Sequence, residues 1–257
     1  SLVELSIVLV ILGLLTGGIL AGQSLIRASE LRAASAEYQR YAAAVNTFRD
    51  KYFAIPGDFR DATRFWSRQV AAAHCVTNSA AAVAAPGACD GDGSGLLVGA
   101  GAASQSAEMF QFWKHLALAG LVEGSYSGLA GSGGTVHCVN GTNCPVSKLG
   151  NGGWYVLSAT SAGDGTTYAV EYGNYFELGA NSANAANTAP LLKPEEAWNI
   201  DTKLDDGRPA YGKVVARYWN NLCSAADDGT HANNDLAASY RLSDSAARCT
   251  LIFTRQF

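Results

Sequence analysis

Three patterns in this sequence combine residue types and spacings that carry chemistry, and the most compact is Asp90-Gly-Asp92-Gly-Ser94-Gly95. Side-chain oxygens at alternate positions followed by glycine match the opening of a calcium loop, where hard oxygen donors close on the ion around a sharp turn. The twelfth position, which carries a bidentate glutamate in such loops, is Gly101 here, and Glu108 on the following helix is the substitute. Asp90, Asp92 and Ser94 are therefore the expected metal ligands, with Ca2+ as the ion. A plain Asp/Gly turn stays open as the alternative. Asp205-Asp206-Gly207 is a second acidic turn, for which capping is a sufficient role. No other cofactor is expected.

The second pattern is cysteine. The chain has 6 cysteines, none in a CxxC pair, which reads as three disulfides formed in an oxidising compartment. Pairing of sequence neighbours gives Cys75–Cys89, Cys138–Cys144 and Cys223–Cys249, one choice among the fifteen connectivities that six cysteines allow. His74 and His137 each precede a cysteine, but disulfide use explains those cysteines better than a metal site. His115, alone on a helix among aromatics, reads as a packed or surface residue. GxSxG, HExxH, P-loop and CxxCH motifs are all absent from the sequence, so no catalytic residues and no enzymatic role are expected. A net charge of −4 makes no case for nucleic acid as a partner.

The third pattern is a single carboxylate in an apolar run. From Leu5 to Ile26 no side chain is charged, and a helix of that length spans about 30 Å, the hydrocarbon thickness of a bilayer. Glu4 stands one turn from the start. A carboxylate at the edge of such a segment is costly in lipid and calls for a cationic partner. The run contains none, so the nearest cation is an α-amino group, its own or a neighbour's.

SLVELSIVLVILGLL, Ser1 to Leu15, closely resembles the N-terminal assembly segment of type IV pilins and type II secretion pseudopilins. Two further stretches, the YxxxPGD…AT.FW pattern of Tyr52 to Trp66 and IDTKLDDGRPAYG of Ile200 to Gly212, resemble large members of that group. The resemblance implies that a leader peptide is removed by a leader peptidase and that the new first residue, usually Phe, is N-methylated. Ser1 matches the residue after that Phe, so a Phe is expected ahead of it. It also implies that Ser1, Leu2, Val3 and Glu4 form the assembly segment, with the Glu4 carboxylate beside the N-terminal amine of a neighbouring subunit. Some pseudopilins bind calcium in the globular domain, which bears on Asp90 and its neighbours.

The elements that hold these residues follow from periodicity. Leu31, Ala34, Tyr38, Tyr41, Val45, Phe48 and Tyr52 recur at steps of three and four, continuing the apolar helix as an amphipathic one to about Tyr52. Glu30, Arg32, Glu37, Arg40, Arg49 and Asp50 lie mostly off that stripe. Gly13, Gly17, Gly18 and Gly22 mark where the helix can loosen, with close helix packing as the other role for such small residues. Asp58 or Asp61 is expected to cap a short helix ending at Trp66. Met109, Phe112, Trp113, Leu116 and Leu118 make one face of a helix ending near Gly120. Strands are expected over Trp154–Thr160, Thr167–Tyr172 and Tyr175–Leu178 as an antiparallel meander, then a helix opened by Pro194, a strand over Lys213–Trp219 and a last one over Thr250–Thr254.

The chain of 257 residues is thus expected to be α+β: a hydrophobic helix over 1–26, its amphipathic continuation over 27–52, and a disulfide-stapled antiparallel β-sheet head over 53–257. The expected function is a pilin that leaves the inner membrane and stacks with copies of itself into an extracellular filament, with the pilus assembly machinery as its other partner. A pseudopilin of a short periplasmic pseudopilus is the alternative within that group. A membrane-tethered periplasmic binding domain or enzyme is a third reading, from another class.

Overall fold

In the computed structural model, one helix dominates: α1, Leu2–Tyr52. The structure describes residues 1–69, 86–98, 108–159, 166–217, 222–225, 236–255 and 257. Ser1 caps α1 in a reciprocal arrangement with Glu4, and the helix runs unbroken through its four glycines. It ends where Phe53 turns into the left-handed region at φ 53° and its N–H closes on the Arg49 carbonyl. Three residues on, Pro56 has no N–H with which to continue a helix.

The two halves of α1 meet different surroundings. From Leu2 to Ile26 the aliphatic side chains stand in solvent, whereas Ala34, Tyr41, Ala44, Val45 and Phe48 are buried against the rest of the chain. Tyr38 stacks on Phe253 at 4.2 Å, and Tyr41 meets Trp113 and Trp154 edge-on at 5.0 and 5.5 Å. Offset and edge-on packing of this kind suits the charge distribution of aromatic rings. Glu37, placed off the stripe by its charge, is instead buried. Its carboxylate accepts from Ser147 Oγ (2.8 Å), Lys148 N (3.0 Å) and Trp154 Nε1 (2.9 Å), tying α1 to the loop before the sheet and to the sheet itself.

After α2, Ala62–Trp66, comes α3, Glu108–Leu118. A single apolar face was expected for α3, but it is buried all round from Glu108 to Leu116, Gln111, Lys114 and His115 included. It contacts both α1 and β1, so every side of it has a neighbour.

The sheet comprises β1 (Gly152–Ala159), β2 (Gly173–Ala180), β3 (Val214–Ala216) and β6 (Leu251–Phe253), in the order β1-β2-β6-β3, with every pairing antiparallel. Trp154 stands opposite Leu178 and Phe176 opposite Phe253. The expected three-strand meander is corrected: Thr167–Tyr172 is no strand, and β1 pairs directly with β2. The aromatics of that stretch serve as anchors, since Tyr168 and Tyr172 are both buried and the Tyr172 hydroxyl donates to the Tyr168 carbonyl at 2.8 Å. The expected strand over Lys213–Trp219 is the shorter β3, with residues 218 and 219 outside the described part. Helix α4, Pro194–Leu204, carries Glu195 and Glu196 in its first turn, and a two-residue ladder joins β4 (Ser224–Ala225) to β5 (Ser239–Tyr240).

Disulfides join Cys138 to Cys144 and Cys223 to Cys249, with Cα atoms 5.6 and 4.9 Å apart. Cys89 is also disulfide-bonded, and Cys75, its expected partner, lies outside the described residues. The architecture is α+β: a long helix, an antiparallel sheet and stapled loops.

Candidate functional sites on the helix and the head

The exposed half of α1 is the first candidate. Its most apolar window has a mean hydropathy of 2.4, and none of it is buried, so the helix is long and apolar enough to cross a membrane. At its tip the Ser1 ammonium lies 2.6 Å from Glu4 Oε2, and Leu2 and Val3 are exposed beside it. A side chain added at Gly13, Gly17 or Gly18 would meet nothing within 4 Å, so these glycines leave room for another surface. Thr16 returns its hydroxyl to the Leu12 carbonyl at 2.8 Å, which hides the one hydroxyl in that stretch.

Where the exposed helix joins the head, Arg27 holds the junction. Its Nε and Nη2 lie 2.6 and 2.7 Å from the two oxygens of Glu196, and its Nη1 lies 3.2 Å from Glu30. The fork-to-fork geometry fixes orientation as well as distance. Glu196 also accepts from the Lys193 amide at 2.9 Å, so one carboxylate closes the start of α4 and grips α1. The first cation after a long apolar run was visible in the sequence. Its partner, 169 residues away, was not.

The second candidate is acidic. Asp58, Asp92 and Glu108 come from three separate segments, and one carboxylate oxygen of each lies within 4.8 Å of the others. Close backbone approach permits this. Gly57 adopts φ 87°, and any Cβ there would collide with the Glu108 carbonyl, while one at Gly91 would strike the Asp58 backbone. Asp58 accepts from the amides of Ser94 (3.1 Å) and Gly95 (2.7 Å). Glu108 accepts from those of Asp92 (2.9 Å) and Val98 (3.0 Å), and Asp92 from that of Ser94 (2.8 Å).

Burial pushes Glu108 up to about 7, and the neighbouring charges of Asp58 and Asp92 add to the backbone-opposed shift. Asp58 is raised too, chiefly by burial. Burial acts the same way on Asp92, but its interactions with Ser94 and Asp58 and the nearby Arg60 charge together outweigh it and hold that carboxyl below its usual range. A carboxylate oxygen has two acceptor directions, so an amide bond to it does not by itself exclude a hard cation.

Of the expected ligands Asp90, Asp92 and Ser94, the cluster contains Asp92 alone, and Asp58 joins it. Glu108 stands where a substitute for the missing loop glutamate was expected. Asp90 does not belong: its oxygens take the amide and hydroxyl of Thr63 at 2.8 and 2.9 Å, capping α2 from across the fold. Ser94 contributes its amide, while its hydroxyl donates to the Leu96 carbonyl at 3.3 Å. Asp61 sits at the N-cap of α2 without a side-chain cap bond, and Asp58 serves the cluster rather than that helix.

A further acidic group joins Asp201, Asp205 and Asp206 at the end of α4. Asp201 accepts from the Tyr240 hydroxyl (2.8 Å) and the Gly207 amide (3.1 Å), and burial pushes it up to about 7. Asp205 accepts from the amides of Lys213 and Val214, which starts β3. His115 is wholly internal: Nδ1 accepts from the Gly57 amide at 2.9 Å, so the proton sits on Nε2, which donates to the Cys89 carbonyl at 3.0 Å.

No family model, curated protein or solved structure matches this chain.

Proposed function

We propose that this chain is a type IV pilin-like subunit that polymerises through its N-terminal helix into an extracellular filament. The observation that carries this reading is the exposed apolar half of α1, broken only by Glu4 and continuous with a half that is locked onto the head. Such a surface is unfavourable in water, and lipid or other copies of the same helix can cover it. In the membrane the helix waits singly. In the filament its neighbours replace lipid, and Glu4 compensates the N-terminal amine of an adjacent subunit. In such a dry core, removing one partner strands the other charge.

The test is to shear cells and look for filaments by cryo-electron microscopy, comparing wild type with Glu4→Ala. Long filaments in the wild type that vanish in the mutant are expected. A wild type that yields none, or a mutant that assembles normally, would remove this reading.

The acidic cluster favours a second reading, a pseudopilin forming a short periplasmic pseudopilus. Asp58, Asp92 and Glu108 would hold Ca2+, which would neutralise three crowded carboxylates and pin α3 to the turn at Pro56. Removal of calcium by a chelator is then expected to lower the melting temperature by several degrees, with recovery on adding Ca2+ but not Mg2+.

A further inference from the structure

We propose that the cleft between α1 and α4 receives the tip of a second copy's α1, with Arg32 and Lys203 supplying positive charge to that copy's Glu4. This rests on the filament reading above and names the surface that would make the contact.

The cleft encloses about 460 Å³. Its floor is aliphatic, made by Leu31, Ile200 and Leu204, and Ala28 leaves the wall low enough for a helix to come close. Arg32 and Lys203 stand on the rim, and among the described residues no carboxylate lines the cleft. Among the described residues neither cation has an ion pair, although Arg27 and Glu30, a turn below, are both paired. The cleft therefore offers an apolar floor under two uncompensated positive charges.

The tip of α1 is the complementary object. Glu4 is the sole acid before Glu30, its side chain is 81% exposed, and Ile7, Val8 and Ile11 share its helical face at steps of three, four and seven. One carboxylate beside aliphatic side chains matches cations above an aliphatic floor. The chain's own Glu4 cannot serve, because 28 residues of straight helix put it about 42 Å from Arg32. A parallel copy displaced along the axis by that distance brings its Glu4 level with the cleft. A carboxylate has two oxygens, so an N-terminal amine and a rim cation can both be served.

Zero-length carbodiimide cross-linking of sheared wild-type filaments, followed by peptide mass spectrometry, tests the contact. An amide between Glu4 and Lys203 is expected, and the 42 Å separation means that it must join two copies. An Arg32→Glu/Lys203→Glu chain, checked for an intact head by protease resistance, is expected to give at least tenfold less filament. Filaments without the Glu4–Lys203 link, together with an undiminished yield from the reversed chain, would overturn the proposal. The same yield with lost binding to phosphatidylglycerol vesicles would overturn it too, and assign the cleft to a lipid headgroup. A wild type that never assembles removes the filament reading itself, and this contact with it.

Discussion

At the scale of residues, Glu37 is the side chain on which the joint between helix and head depends most. Three donors converge on its carboxylate, and two of the donor residues, Ser147 and Trp154, are themselves buried. Replacing it with Ala strands those donors without water, at about 3 kcal/mol or more, whereas Gln keeps one acceptor and costs less. Urea unfolding of the two variants is expected to rank them in that order, and an Ala variant as stable as wild type would refute the account. Glu37 follows Ala34 by three and precedes Tyr41 by four, so helical phase put it on the packed side. Only its charge suggested solvent. His115 makes the complementary case. Complete burial pushes it down to about 3, so it stays neutral in the fold while an unfolded histidine protonates near 6.5. Between those values the unfolded state binds the extra proton, so this residue's contribution to stability is lost as pH falls from about 6.5 toward 3. NMR of the head is expected to show His115 untitrated at pH 5, and a midpoint near 6.5 would contradict the burial argument.

At the scale of elements, the long helix and α4 were legible and the middle of the sheet was not. Periodicity reports the side of a helix that is buried when one side is buried, as for residues 31–52. It misreads α3, which has neighbours on all sides, and so polar residues such as Gln111 and Lys114 are also enclosed. The Thr167–Tyr172 stretch carries strand composition because buried tyrosines are needed there, and composition does not separate an anchored connection from a ladder. Disulfides act on elements through the loops they close. Chain entropy gives about 3.5 kcal/mol for the 26-residue separation of Cys223 and Cys249 and about 2 kcal/mol for the 6-residue one of Cys138 and Cys144. Cys223→Ser/Cys249→Ser is therefore expected to lower the melting temperature more than Cys138→Ser/Cys144→Ser. The reverse order would show that the small loop does more than close on itself.

At the scale of the whole molecule, the chain is an exposed apolar rod joined to a packed head. No side chain from Leu2 to Ile26 is buried, so the head does not depend on that half for its core. A chain beginning at Arg27 keeps the clamp on Glu196 and is expected to be a monomer in detergent-free buffer, melting within a few degrees of the full chain in detergent. Size-exclusion chromatography and calorimetry check both points. A head that aggregates or loses its cooperative transition would show that the rod is part of the fold.

Sequence alone determined the rod, its lone carboxylate, the amphipathic continuation and the α+β class. Each is a local property: a run of one chemistry, a repeat of three and four, a turn residue beside a strand. Tertiary structure decided which acids meet. Asp58, Asp92 and Glu108 are gathered from a turn, a loop and a helix by glycines that let backbones touch, and Asp90, two residues from Asp92, is drawn away to cap α2. It also decided the clamp of Arg27 on Glu196 and the burial of Glu37, because the partner of a charge depends on which distant segment packing brings within about 3 Å, and no spacing along the chain encodes that distance.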